Sequence, residues 1–171
     1  MGAGKTTVGR ALASRLGWTF SDLDELIESR HAKSIAAIFA ENGEAGFRKM
    51  ESTALQDLLA RTRDSEPKGM IVALGGGAFV QPDNRAALEQ AGAITILLEA
   101  PVEELRRRCI AENRVRPLAR EQKTFAELFG ARQNVYRQAQ HRVETLNKSI
   151  DQIAAEIELM LASVNKPGGM Q

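Results

Sequence analysis

Cysteine is nearly missing from this sequence: the single thiol, Cys109, has no internal partner. That excludes a disulfide framework and fits a reducing compartment. No apolar run reaches the roughly 18 residues that a membrane span needs, and the N-terminus carries no signal-peptide pattern. Net charge is also lacking, with 23 Lys+Arg against 22 Asp+Glu. Binders of a phosphate backbone usually carry a concentrated basic field, so nucleic acid is not an expected partner and neither is a membrane. The two histidines, His31 and His141, have no partner at metal-ligand spacing and read as surface positions. There is no internal repeat and no low-complexity domain. The expectation is a cytoplasmic monomer, with an upstream targeting segment left open.

What is present is enough for a single domain. A chain of 171 residues, 43% of them hydrophobic, can close a core without metal or disulfide support. Thr6 to Leu16 has helical spacing and stops at Gly17, and Trp18 to Phe20 reads as a short strand ending at Ser21-Asp22-Leu23-Asp24. Short helices are expected over Leu26–Arg30 and Ser34–Ala40. Gly43 interrupts the pattern before a longer helix, Phe47–Arg61, and residues 62–69 form a polar connection. Met70–Leu74 and Ile94–Leu98 are continuous apolar runs, as strands covered on both faces require. Asn84–Gln90 and Pro101–Ala111 read as helices, the second opened by a proline whose missing N–H costs nothing there. Helices over Thr124–Ala139 and Ser149–Met160 flank a strand near Arg142–Glu144. The alternation predicts an α/β fold, three layers around a parallel sheet. Domain limits are 1–163, with a frayed tail over 164–171.

The N-terminus carries the chemistry. Gly2-Ala3-Gly4-Lys5-Thr6-Thr7 is the end of the G-x-x-x-x-G-K-[ST] pattern, in which glycines let backbone N–H groups wrap a phosphate. Lys5 is placed to bridge terminal phosphates and the Thr6 hydroxyl to ligand Mg²⁺, at the positive end of the helix that follows. A plain Gly-Lys turn before a helix is the competing reading. The pattern also needs a first glycine two positions before Met1 and a strand feeding the loop, and neither is in the sequence. In P-loop folds that strand is central, so two other strands would lack a neighbour, with unpaired backbone as the cost. We expect Met1 to be an internal methionine with the natural chain starting upstream.

Five further segments follow in order: Asp22-Leu23-Asp24, Phe47-Arg48-Lys49-Met50-Glu51, Gly75-Gly76-Gly77, Arg116-Pro117-Leu118, and Arg132 with Tyr136. Together with the loop they resemble the shikimate kinase family of P-loop small-molecule kinases, and the match runs through almost the whole chain. The resemblance implies ATP-dependent phosphorylation of the 3-hydroxyl of shikimate, a step toward chorismate and the aromatic amino acids, with ATP and Mg²⁺ as cofactors. It implies that Asp24 holds the acceptor hydroxyls and helps take up the proton, and that Asp22 positions Mg²⁺. Carboxylates suit both tasks, as hydroxyl acceptors and as hard ligands. Arg48 and Arg132 are implied to clamp the acceptor carboxylate, for which a planar guanidinium fork is well shaped.

Glu51, three residues on along the same helix face, orients Arg48 or forms a plain surface ion pair with it, and Gly75, Gly76 and Gly77 let backbone approach the acceptor ring or make a tight strand-exit turn. Phe47 and Phe39 line the pocket or pack the core. The resemblance further implies an acceptor-binding region over residues 24–61 and a lid over 112–123, in which Arg116 stabilises the charge on the transferring phosphoryl group. The resemblance implies an adenine contact at Arg108 or, with a shift of one residue, at the position of Cys109, and Arg108 is taken for it; Cys109 itself is read as a semi-buried filler. The sequence departs from the family pattern at Lys33, Ala119 and Val135, where no reactive group is lost. Two alternatives stay open: a kinase for another hydroxylated acid such as gluconate, and a noncatalytic kinase-like binding protein.

Overall fold

The computed structural model describes residues 2–64, 69–111 and 122–164. In chain order the elements are α1 (Lys5–Leu16), β1 (Thr19–Asp22), α2 (Leu23–His31), α3 (Ile35–Asp64), β2 (Met70–Ala73), a 3₁₀ turn (Ala78–Val80), α4 (Pro82–Gln90), β3 (Ile96–Glu99), α5 (Val102–Ala111), α6 (Gln122–Tyr136), β4 (His141–Glu144) and α7 (Ile150–Val164). Local chemistry sets several of their limits. Gly17, at φ 64°, turns the chain out of α1, a left-handed conformation natural to glycine. Pro82 opens α4. The side chain of Asp22 caps α2, with Oδ1 accepting from the backbone N–H of Asp24 at 3.0 Å and of Glu25 at 3.3 Å. That cap starts α2 at Leu23, three residues before the sequence pattern places it.

The two helices expected on either side of Gly43 form one element, α3, broken at that residue (φ 66°, ψ −179°). This backbone region is essentially closed to side-chain-bearing residues. Of the expected lid, residues 112–121 lie outside the described residues, and 122–123 already belong to α6. Val164 ends α7, and the rest of the expected tail, 165–171, lies outside as well.

All strand pairing is parallel. β1 pairs with β2, Thr19 opposite Met70 through Asp22 opposite Ala73, and β3 pairs with β4, Ile96 opposite His141 through Glu99 opposite Glu144. The pairs are separate: among the described residues β2 and β3 each have one strand neighbour. One core is shared by both pairs, and a second covers the other face of β2. On one face Val8 and Leu12 of α1 and Ile153, Ala154, Ile157 and Leu161 of α7 pack with Ile71 of β2, Ile96 and Leu98 of β3 and Val143 of β4. On the other face Met70, Val72 and Leu74 meet Leu23, Ile27, Ile38, Phe47, Leu55 and Leu58. Alternate residues of β2 thus serve opposite faces, the period of two that an extended chain imposes. The result is the expected three-layer α/β/α P-loop kinase architecture. Among the described residues no helix is long and apolar enough to cross a membrane.

Candidate active site

The phosphate loop is built by backbone conformation. Gly2 (φ 64°) and Gly4 (φ 76°) both take the left-handed region. Gly4 then begins α1 with no side chain capping it and no acid in its first turn, leaving the first amide groups and the positive end of the helix for an anion. Ala3 anchors the loop in a small apolar cluster with Leu105 of α5, against which Cys109 and Phe129 pack. A Cβ at Gly2 would sit 2.9 Å from the Cys109 sulfur and closer still to the Leu105 carbonyl. Cys109 is therefore filler behind the loop.

A cavity of about 340 Å³ opens over this loop, lined by Gly2, Ala3, Gly4, Lys5, Thr6, Thr7, Asp22, Asp24, Leu74 and Gly75. Every candidate residue of the loop faces it. So do both acids of Asp22-Leu23-Asp24, because β1 ends beside α1 and the cap at Asp22 turns the chain into α2 at once. The Thr6 hydroxyl donates to Asp22 Oδ2 at 2.6 Å while the other carboxylate oxygen holds the start of α2. A hydroxyl and a carboxylate in contact at the mouth of a glycine loop are hard oxygen donors, which fit Mg²⁺ beside a phosphate chain. Among the described residues no cluster of three or more His, Cys, Asp or Glu side chains is arranged to hold a metal alone.

Next to Asp24 lies a second group of residues. Arg48 of α3 donates from Nη1 to Glu51 at 2.8 Å and from Nη2 to Glu44 at 3.1 Å, and its guanidinium lies 5.2 Å from the Phe47 ring centre. Glu51 is 1% exposed and Arg48 15%. Burial pushes the Glu51 carboxyl above its ordinary range, with Arg48 pulling the other way. The charges of Asp24 and Arg132 also reach Glu51, so all four belong to one electrostatic neighbourhood.

The glycine triplet has an added cause here. A Cβ at Gly75 would approach Asp24 Oδ1 to 2.5 Å, and one at Gly77 would overlap the Arg48 guanidinium. The turn is bare at 75 and 77 because those two side chains lie against it. Gly76 presents its carbonyl to two donors of α6, Arg132 Nη1 at 3.2 Å and the hydroxyl of Tyr136. Asn84 and Arg85 of α4 hold the following turn, donating to the carbonyls of Ala78, Phe79 and Val80.

Tyr136, Asn84 and Arg85 had no role from sequence. For Tyr136 the signal was its helical spacing from Arg132; for the other two there was none. Phe39 and Phe47 stack at 4.6 Å, with Phe47 buried in the core. Arg108 is engaged by Glu104 at 2.7 Å and by the Thr145 hydroxyl and carbonyl at 3.0 and 3.3 Å, apart from the residues lining the loop cavity. Arg116 lies outside the described residues.

Comparison with known proteins agrees with this geometry. The family model described as Shikimate kinase matches residues 1–162. A shikimate kinase of Geobacter sulfurreducens is 41% identical over 160 residues, covering 92% of this chain and 84% of that protein. One from Persephonella marina is 36% identical over 157 residues, covering 92% of each. Among solved structures, shikimate kinase from Acinetobacter baumannii in complex with shikimate superposes with a TM-score of 0.85 at 35% identity, covering 98% of this chain and 91% of that one. The Aquifex aeolicus enzyme gives 0.80 at 30% identity, covering 96% and 93%. With this breadth of match, the loop, the paired acids and the half-buried arginine in one corner of a parallel α/β fold have a common explanation: the chain belongs to the shikimate kinase family.

Proposed function

We propose that this protein transfers the terminal phosphoryl group of ATP to the 3-hydroxyl of shikimate, giving shikimate 3-phosphate and ADP. The observation that carries the reading is that Lys5 and Asp24 line one cavity, so a triphosphate and an acceptor hydroxyl can meet there. Backbone amides from Gly2 to Thr7 cradle the phosphates, and Lys5 adds positive charge at the terminal pair. Family membership implies Mg²⁺, which supplies positive charge to the phosphate oxygens; Thr6 and Asp22 are the residues to hold it. Asp24 accepts a hydrogen bond from the attacking hydroxyl and takes its proton as the new P–O bond forms and ADP leaves. Arg48 and Arg132, backed by Glu51 and the Gly75–Gly77 turn, hold the acceptor carboxylate and so fix which hydroxyl faces the phosphorus. Alignment and charge compensation supply most of the rate in such transfers. Arg116 is assigned to the phosphoryl charge, Arg108 to the adenine side, and residues 112–123 to the lid.

The test is titration calorimetry with MgATP followed by an ADP-release assay offering shikimate and gluconate in parallel. Turnover with shikimate alone is expected. Turnover with gluconate alone would move the acceptor assignment, and absence of MgATP binding would make this chain a noncatalytic relative.

A further inference from the structure

The guanidinium of Arg48 is unevenly used. Its Nη1 donates at 2.8 Å to Glu51, a carboxylate 1% exposed and locked into the core. Its Nη2 donates at 3.1 Å to Glu44, whose side chain is 58% exposed. Nε is buried, and among the described residues it meets no acceptor. Nε–H and Nη2 lie on the same edge of the planar group and together form the fork that grips both oxygens of a carboxylate. The structure therefore contains a two-donor fork with one prong held by a solvent-exposed glutamate and the other unmet. An unmet buried donor is costly, whereas an exposed i,i+4 ion pair is worth little.

From this asymmetry we infer that Glu44 is a placeholder: its carboxylate occupies Arg48 Nη2 in the unliganded protein and is displaced when the acceptor carboxylate takes Nε and Nη2 together. The inference rests on the reading that Arg48 receives the acceptor's carboxylate, and it deepens that reading by naming a residue that sets acceptor affinity by competition. Glu51 stays in place throughout and keeps the fork aimed. Glu44 is well positioned for release because it directly follows the kink at Gly43, in the first turn after the helical pattern is broken.

Two variants separate contact from charge. Glu44→Gln removes the negative charge, and Glu44→Asp keeps it on a stem too short to reach Nη2 easily. Shikimate KM is expected to fall about two- to fivefold in both, with no matching rise in kcat, which corresponds to the small energy of an exposed pair. The control is Glu41→Gln, which removes a nearby exposed acid paired with Lys33 instead; its KM is expected to match the parent. A fall in the Gln variant alone would mean general charge repulsion and overturn the inference, as would an unchanged or raised KM in both.

A second arm does not depend on the acceptor's identity. Acetate, as a bare carboxylate, is titrated while the Arg48 Nε signal is followed by NMR. Saturation at lower acetate in both variants supports displacement, and equal titration in all forms refutes it. Absence of shikimate turnover in every form would instead fail the acceptor reading, while the acetate titration still decides the competition.

Discussion

Arg48 is the residue on which the proposed acceptor side of the site depends. It is held between an exposed and a buried carboxylate, and Gly77 is bare because the guanidinium fills the space a Cβ would need. Replacing Arg48 with Ala removes the main group that opposes burial at Glu51, leaving the weaker pull of Arg132, so a carboxyl already above its ordinary value rises further. For an acid whose folded-state pKa is raised, the destabilisation is fully present above the folded pKa and disappears as pH falls through it toward the unfolded value. Arg48→Ala is therefore expected to lose about 3 kcal/mol or more at around pH 8 and to recover part of that by about pH 5. Urea unfolding of parent and variant at several pH values measures the gap. A gap that does not change with pH would remove Glu51 ionisation as the cause.

At the scale of elements, the site is assembled by helix starts and strand ends. β1 and β2 run parallel and end together, at Asp22 and Ala73, so the acids at and just after the end of one strand and the glycine triplet that follows the other come out at the same edge. This is the usual place for ligands in parallel α/β sheets, beyond the carboxyl ends of the strands. Helix α6 then reaches back with Arg132 and Tyr136 to fix the Gly76 carbonyl. Tyr136→Phe deletes the hydroxyl donor while keeping the ring. Acceptor KM is expected to rise about three- to tenfold, the scale of one hydrogen bond at roughly 1 kcal/mol, with KM for ATP unchanged. Steady-state kinetics with each substrate varied in turn gives the split. Equal effects on both substrates would mean that the tyrosine supports the whole fold.

Across the molecule, the phosphate loop is joined to both cores. α1 packs into the core shared with α7, Ile71 and Val143, while the acids opposite Lys5 belong to the start of α2, whose Leu23 and Ile27 fill the other core. A ligand spanning the cavity thus ties the two faces together, across strand pairs that share no hydrogen bonds. MgATP at about one hundred times its dissociation constant should add about 2.7 kcal/mol to stability. Scanning calorimetry should record this as a rise in Tm that chelating the metal reduces. A rise unaffected by chelation would place Mg²⁺ outside the binding event.

The sequence by itself determined what depends on local backbone and short spacing. Glycines before Lys5-Thr6 dictate a wrapped loop at a helix start, the apolar run Met70–Leu74 dictates a strand covered on both faces, and the interval from Arg48 to Glu51 puts them on one helical face. Each follows from geometry within a few residues. Only the tertiary structure decided which distant groups share a surface. The bare positions at Gly75 and Gly77 answer to Asp24 and Arg48, and the Tyr136 hydroxyl meets a carbonyl 60 residues away. Such contacts are set by strand register and by the packing of helices over it, and neither is encoded in the spacing of any one segment. The uneven grip on Arg48 is of the same kind: spacing offers both glutamates, and burial alone makes one of them fixed and the other replaceable.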